Sequence, residues 1–288
     1  MGHLLLSIVV LVWGPNFGIT KSAYRDLNPI LFAALRFTVC GILVLVATFW
    51  KERSLYIQKQ DLLRVAVVGG AGIGLYQILW SYGLNLTTPS NSALIFSLSP
   101  LLVFVYGDLT RKESMERRQY LNVFLGLVGV ALVILRPTAQ LRFSLDTLPG
   151  DLLTLLACFC FVIFFSAWSK PLLRLYSPLR LTGYCMIMAS IILWMIAFSP
   201  AKSTAWDQVG EKTWWALGYT ILFSGMLGHV LWYEGILRFG VNKTMVYQYL
   251  MPVWAVLFNH LFMGERIFPQ QIAGGAIILW AVHRVLWS

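Results

Sequence analysis

Continuous apolar runs about as long as a bilayer is thick follow one another along the chain, joined by short polar connections. An α-helix of about 20 residues spans the hydrocarbon core of a membrane, roughly 30 Å. Backbone groups inside hydrocarbon must pair internally, and continuous runs predict helices rather than the short alternating strands of a barrel. The predicted segments are approximately 3–22, 29–50, 61–83, 89–107, 119–136, 150–170, 178–199, 213–233, 243–263 and 268–286.

Composition excludes a soluble globule. The 288 residues are 58% hydrophobic and only 12% charged, with a mean hydropathy of +0.72, whereas soluble domains carry about a quarter of charged residues. The net charge of +10 could suit nucleic acid, but the basic residues form short clusters between the apolar runs. Such clusters orient membrane proteins. We therefore predict the lipid bilayer as a partner, and no nucleic acid.

The distribution of Lys and Arg predicts the orientation. Ten spans would leave 14 of these residues on the side of the N-terminus and 7 on the other, with Arg36 inside a segment. The positive-inside rule then places both termini in the cytoplasm. We expect a multi-pass protein of the cell membrane, most simply the inner membrane of a bacterium or archaeon, as a monomer or homodimer.

The sequence offers no sign of catalysis. Neither the His-Glu-x-x-His pattern of zinc proteases nor a Gly-x-Ser-x-Gly pattern occurs, and the aspartates are scattered. The four cysteines lie inside apolar runs, which is typical of small buried side chains rather than of disulfides or metal ligands. We predict neither an enzyme nor a bound cofactor or metal.

The chain contains an internal repeat. With an offset of 152 residues, Trp, Gly, Pro, Glu and Gln positions recur at identical spacing, and Lys21 and Pro29 match Lys170 and Pro178 with an offset of 149. The matched pairs are Trp80 and Trp232, Gly83 and Gly235, Pro100 and Pro252, Glu113 and Glu265, and Gln119 and Gln271. We predict one repeat over 1–136, a linker over 137–149 and a second repeat over 150–288. Five spans are an odd number, so the second repeat would be inverted, an architecture common among secondary transporters.

Several of these residues carry a family resemblance. The stretch Trp13-Gly14-Pro15-Asn16-Phe17, Pro100 with Glu113, and Pro252 with Gly264-Glu265 and Gln271 resemble an EamA-type domain of the drug/metabolite transporter superfamily. The resemblance covers essentially the whole chain as two such domains. It implies an all-α bundle of ten membrane helices that exports or exchanges small metabolites, often amino acids. The first domain departs from the pattern at Lys112-Glu113, where Gly-Glu is usual.

Polar and aromatic residues at membrane depth are candidates for substrate binding, because burying them without partners is costly. Gln77 and His229 occupy equivalent positions of the repeat, as do Trp80 and Trp232, so each pair offers a polar group and an indole. Interfacial aromatic belts and ordinary core packing are the alternative interpretations. The predicted substrate-binding residues are Trp13, Asn16, Tyr76, Gln77, Trp80, Ser92, Phe96, His229, Trp232, Tyr233, Tyr247 and Gln248.

Prolines and charged residues suggest moving parts. Pro100 and Pro252 would free a backbone carbonyl four residues earlier, which creates either a hinge or a simple packing kink. Glu113 and Glu265 are candidate gates, with ion pairing or helix capping as the alternative. Arg36 could extend to the outer interface or bind an anion. His229 is the candidate for proton coupling, with a structural core histidine as the alternative.

We therefore expect a secondary transporter that works by alternating access between the repeats and exports or exchanges small organic metabolites, most simply amino acids, aromatic ones among them. Protons are a possible coupling ion. Transport of sugar phosphates or nucleotide sugars is a second possibility, although such anions would require several buried cations. A polytopic membrane enzyme or an assembly factor is the alternative of another class.

Overall fold

The computed structural model describes residues 2–110, 116–135, 144–263 and 266–287, and every regular element within them is helical. The α-helices are α1 Gly2–Trp13, α2 Asn16–Ala23, α3 Pro29–Glu52, α4 Leu62–Gly69, α5 Tyr76–Leu86, α6 Pro89–Phe96, α7 Ser99–Leu109, α8 Arg117–Ile134, α9 Leu148–Cys160, α10 Ser169–Leu172, α11 Pro178–Ser203, α12 Glu211–Tyr219, α13 Gly228–Val246, α14 Leu250–Met263 and α15 Pro269–Leu286. Short 3₁₀ turns cover Lys59–Asp61, Trp206–Gln208 and Tyr247–Tyr249.

Many of these helices continue one another as membrane-length segments. Within the described residues, seven such segments are long and apolar enough to cross a bilayer. They are Gly2–Ala23, Pro29–Glu52, Lys59–Leu86, Pro89–Leu109, Arg117–Ile134, Leu148–Leu172 and Pro178–Ser203. The molecule is therefore an all-helical, multi-pass membrane protein. The count of ten spans and the cytoplasmic placement of the termini stay predictions.

The starts of several helices follow from local sequence. α3, α6 and α11 each begin with a proline, whose fixed φ and missing N–H suit the first helical position. Asn28, Thr88 and Ser177 precede these prolines, and their side chains accept hydrogen bonds from free backbone N–H groups of the first turn. Capped, proline-led starts thus keep the connections between spans short.

The helices pack in matched pairs from the two halves of the chain. α3 packs on α11 and α8 on α15, while the contact of α5 with α9 is matched by that of α1 with α13. Glycines permit the close approach: a Cβ at Gly129 would lie 2.8 Å from the carbonyl oxygen of Gly274, and one at Gly274 would lie 2.6 Å from that of Gly129. This reciprocal pairing is the pattern expected of a two-fold repeat, and the inverted orientation of its second copy stays a prediction.

Irregular turns interrupt three of the membrane-length segments, and a further one separates α12 from α13. Gly14-Pro15 separates α1 from α2, and π-helical turns occupy Gly70–Leu75, Phe161–Ala167 and Thr220–Leu227. The first and last of these π turns overlap under the 152-residue offset. π turns are frequent at functional sites because they change which side chains face a neighbour.

Candidate functional site

A small cavity of about 40 Å³ lies in the middle of the bundle, beside the irregular turns. It adjoins a larger cavity of about 490 Å³, and the two share Phe17, Phe96, Gln248 and Met251. The small cavity is lined by Trp13, Asn16, Phe17, Arg36, Tyr76, Trp80, Phe96, Phe161, Ser224, His229, Gln248 and Met251.

The larger cavity extends toward the end of the bundle opposite the N-terminus. Its lining includes Ser22 near the end of α2, Pro89 at the start of α6 and Gln271 in the first turn of α15. At the other end, the His3 ring stacks on Trp287 with centroids 5.9 Å apart, and its Nδ1 is hydrogen-bonded to the hydroxyl of Tyr247. The small cavity therefore has open space on one side and packed aromatic side chains on the other.

Arg36 is the cationic group of the small cavity. Its side chain is buried, with 3% exposure, and does not reach the interface. Nη2 donates to the Ser224 hydroxyl over 3.3 Å, and the guanidinium lies 4.8 Å from the centre of the Phe37 ring. Nε has no hydrogen-bond partner, and the ion pairs found among the described residues leave Arg36 out. A cation buried in this way is well placed to receive an anionic group.

Ser224 connects three functional side chains through different atoms. Its hydroxyl accepts from Arg36, while its backbone carbonyl accepts from Trp13 Nε1 over 2.9 Å and lies 3.1 Å from His229 Nδ1. His229 Nδ1 also lies 2.9 Å from the carbonyl oxygen of Gly225. Because carbonyl oxygens only accept, Nδ1 carries the proton, and Nε2 is the acceptor of the neutral ring.

Aromatic rings form much of the remaining wall. Phe161 lies 5.6 Å from Tyr76 and 6.1 Å from Phe96, and Trp80 lies 5.7 Å from Phe17, measured between ring centroids. The indole N–H of Trp80 is buried and has no acceptor. The cavity thus combines ring faces with unused donors, which is the usual composition of a small-molecule site.

Some predicted site residues lie together and others do not. Trp13, Asn16, Tyr76, Trp80, Phe96, His229 and Gln248 line the small cavity. The remaining predicted binding residues, Gln77, Ser92, Trp232, Tyr233 and Tyr247, lie outside its lining.

The excluded residues have other surroundings. Trp232 Nε1 donates to Ser166 over 3.3 Å, and the Tyr233 ring stacks on Phe165 at 4.6 Å. The hydroxyl of Ser92 and Oε1 of Gln77 are buried without partners. Equivalent positions therefore differ in role: Trp80 and His229 reach the cavity, whereas Trp232 and Gln77 do not.

Pro100 and Pro252 lie just beyond helix interruptions. α6 ends at Phe96 and α7 begins at Ser99, whose hydroxyl lies within hydrogen-bond distance of the Phe96 carbonyl and 2.5 Å from Gln248 Oε1. The Ser99 hydroxyl thus lies beside the Phe96 carbonyl, which Pro100 leaves without a backbone donor. Pro252 lines the larger cavity. The predicted gates Glu113 and Glu265 lie outside the described residues.

Phe17, Phe161, Ser224 and Met251 complete the site but were not predicted. Each is unremarkable inside an apolar run, and its position depends on how helices from different repeats meet. Arg36 did carry a signal, as the basic residue well inside a span. The choice between snorkelling and burial required the packing of α3 against Thr220–Leu227.

Comparisons with known proteins agree on the type of protein. The sequence model of the EamA-like transporter family matches residues 1–135 and 148–286. The chain is 27% identical to the uncharacterized transporter YyaM of Bacillus subtilis, over 98% of this chain and 93% of that protein. It is 21% identical to the S-adenosylmethionine/S-adenosylhomocysteine transporter of Chlamydia trachomatis serovar L2, over 93% of this chain and 84% of that protein. A solved crystal structure shares the fold, with a TM-score of 0.79 over 99% of this chain and 97% of that one at 19% identity.

Proposed function

This chain belongs to the EamA-like transporter family, and we propose that it transports small molecules that join a carboxylate to an apolar or aromatic body, most simply amino acids. The observation that carries the proposal is the buried guanidinium of Arg36 in a cavity walled by aromatic rings.

The guanidinium supports a carboxylate as the recognised group. A buried charge is stable only with a compensating partner, and Arg matches a carboxylate with two parallel hydrogen bonds. Nε of Arg36 has no partner, and none of the described residues that line the small cavity is acidic. The substrate would supply the negative charge that the protein lacks there.

The remaining lining suits the other parts of an amino acid. An ammonium group would be received by the amide oxygens of Asn16 and Gln248 and by the faces of Trp13 and Trp80. An apolar or aromatic side chain would extend into the larger cavity past Phe96. A volume of about 490 Å³ lies in the range of small-molecule sites.

The cavities support transport by alternating access. With the termini in the cytoplasm, as the charge distribution predicts, the larger cavity would face outward and the cluster around His3 would close the inward side. Export or exchange would require the two repeats to rock and open the side of Tyr247. His229 remains the candidate for proton coupling, because its Nε2 can take up a proton without breaking the Nδ1 contacts.

S-adenosylmethionine is a second candidate substrate. The relative from Chlamydia carries this compound in its name. The compound also presents an α-amino carboxylate and an aromatic base, so the same Arg36 contact would serve it. Sugar phosphates are less well supported, because Arg36 is the single cationic side chain in the described lining of the small cavity.

Counterflow in proteoliposomes tests the proposal. Vesicles holding the purified protein would be loaded with one unlabelled amino acid at a time, and uptake of its labelled form followed, with S-adenosylmethionine in a parallel series. Arg36→Gln removes the charge and should lower exchange about 10-fold or more, the expected loss for a charge-assisted hydrogen bond. Arg25→Gln removes an equal charge from an exposed position and should leave exchange unchanged.

Substrate analogues give an independent measurement. The carboxamide or methyl ester of an exchanged amino acid should compete poorly against wild type, and the difference from the acid should vanish in Arg36→Gln. Equal competition by acid and amide in the wild type would contradict a carboxylate at Arg36. The absence of exchange with every amino acid and with S-adenosylmethionine, in folded protein, would overturn the proposed substrate class.

A further inference from the structure

A third cavity, of about 410 Å³, lies at the end of the bundle near the N-terminus. It is separate from the substrate cavities, with which it shares no lining residue. We call it the basic pocket; its lining is Gln119, Lys170, Arg174, Ile236, Leu237, Phe239, Gly240, Asn242 and Lys243.

The basic pocket concentrates positive charge. Lys170, Arg174 and Lys243 line it together, and none of its described lining residues is acidic. Lys243 donates one of its three N–H groups to the Leu286 carbonyl over 3.1 Å. A lining of this composition favours an anion over a cation as its ligand.

Asn242 provides an independent sign of a missing partner. Its side chain is 5% exposed, and its amide nitrogen has no acceptor. A buried N–H group without a partner costs free energy, and native structures rarely leave one unexplained. The amide belongs to the same lining as the three cations. An oxygen of a bound anion would supply the acceptor that it lacks.

The repeat shows what occupies the equivalent place in the first half. There, Lys21 donates to the carbonyls of Leu84 and Asn85, each over 2.6 Å. With the 152-residue offset, Leu84 and Asn85 correspond to Ile236 and Leu237 of the basic pocket. With an offset of 149, Lys21 corresponds to Lys170 of the same pocket. The basic pocket is therefore the second half's version of the site around Lys21.

A carboxylate lies beside the first-half site. Asp151 accepts from the Thr87 hydroxyl over 2.5 Å and from the Asn91 amide over 3.1 Å. In the second half, the offset replaces Thr87 by Phe239 and Asn91 by Lys243. The basic pocket thus gains a cation at the position of Asn91, and its described lining provides no counterpart of the Asp151 carboxylate.

We propose that the basic pocket binds a phosphate group, held by Arg174 and Lys243 together with the amide of Asn242. Several cations and an additional N–H donor suit the charge and the multiple oxygens of phosphate better than a single carboxylate. The phosphate belongs either to an anionic lipid headgroup or to a soluble phosphate compound, and the two sources are separated by the test.

Titration of the purified full-length protein tests the proposal with two probes. Inorganic phosphate is titrated by calorimetry in a neutral detergent, against sodium chloride of equal ionic strength. Binding of phosphatidylglycerol is measured by native mass spectrometry, against phosphatidylcholine. Saturable binding of either probe by the wild type supports the proposal. Phosphate binding indicates a soluble compound, and binding of phosphatidylglycerol alone indicates a headgroup.

Three variants assign binding to the pocket. Arg174→Gln and Asn242→Leu should each weaken it about 10-fold or more. Lys59→Gln removes a charge from an exposed position at the same end and should leave binding unchanged. Asn242→Leu should also not lower the thermal midpoint without ligand, because it removes an unsatisfied donor. Binding of neither probe, or an equal loss in Lys59→Gln, would overturn the proposal.

Discussion

Nη2 of Arg36 lies 3.3 Å from the hydroxyl oxygen of Ser224, across 188 positions of sequence. The contact joins α3 to the π-helical turn Thr220–Leu227, and hence the two halves of the chain, at the wall of the central cavity. The backbone carbonyl of Ser224 also holds Trp13 and lies beside His229. A movement of this turn would therefore displace a cation, an indole and an imidazole together.

Ser224→Ala should weaken recognition of the carboxylate without unfolding the protein. The substitution removes the hydroxyl that positions Arg36, while the backbone contacts of Trp13 and His229 remain. A lost hydrogen bond to a charged group costs about 1.5–3 kcal/mol, or roughly 10- to 100-fold. We expect KM for counterflow to rise within that range. Ser203→Ala, at an exposed serine, is the control. An unchanged KM would show that Ser224 does not position Arg36.

The substitutions Trp80→Phe and Trp232→Phe should have different effects on exchange and stability, although the two residues occupy equivalent positions of the repeat. Trp80 lines the small cavity with a free N–H, so its replacement should reduce exchange and spare the fold. Trp232 is fully buried and donates to Ser166, so its replacement should lower stability by about 1–3 kcal/mol. Counterflow and thermal unfolding of both variants make the comparison. Equal effects on exchange would contradict the asymmetry.

Gly274→Val should separate α15 from α8. A Cβ at Gly274 would lie 2.6 Å from the carbonyl oxygen of Gly129, and backbone cannot yield as a flexible side chain does. We expect a loss of about 1–3 kcal/mol in stability, seen as a lower thermal midpoint in detergent. Gly275→Val is the matched control, because nothing lies within 4 Å of its Cβ. Equal midpoints for the two variants would show that the helices adapt.

Asp151 and Asn91 should be energetically coupled. The carboxylate accepts from the Asn91 amide over 3.1 Å and 3.3 Å in buried surroundings, and it connects α9 to α6. A double-mutant cycle of Asp151→Ala and Asn91→Ala should give a coupling energy of about 0.5–3 kcal/mol in thermal or denaturant unfolding. Asp146→Ala, at an exposed position, should show no coupling with Asn91→Ala. Additivity in the Asp151 cycle would assign the contact no stabilising role.

Part of the candidate site could be read from the chain because polar residues at membrane depth are rare. Asn16 and His229 stood out for this reason, and both line the cavity. The same rule also selected Gln77 and Tyr233, which face other surroundings. The free-energy cost of burying a polar side chain indicates that the residue has a structural or functional role. It does not show whether the side chain lines a cavity or packs between helices.

Three properties could be predicted without any structure: the bilayer as the environment of the chain, its helical class and its internal repeat. Hydropathy and the need for backbone hydrogen bonds act locally along the chain. The matched Trp, Pro and Gln positions reveal the repeat without knowledge of any tertiary contact. The family resemblance at Trp13 to Phe17 and at Pro252 was sufficient to name the EamA family, which its match confirms. The ten-span count, the orientation and the substrate stay predictions.

Which member of each repeated pair reaches the cavity depends on how the helices pack. Trp80 reaches the cavity and Trp232 does not, and Arg36 meets Ser224 rather than the interface. An identical offset along the chain cannot settle this, because the two halves are not built alike: Gly14-Pro15 breaks the first segment, whereas a π-helical turn at Phe161–Ala167 interrupts its counterpart. The site arises where these unequal turns meet, and that meeting depends on packing between distant segments.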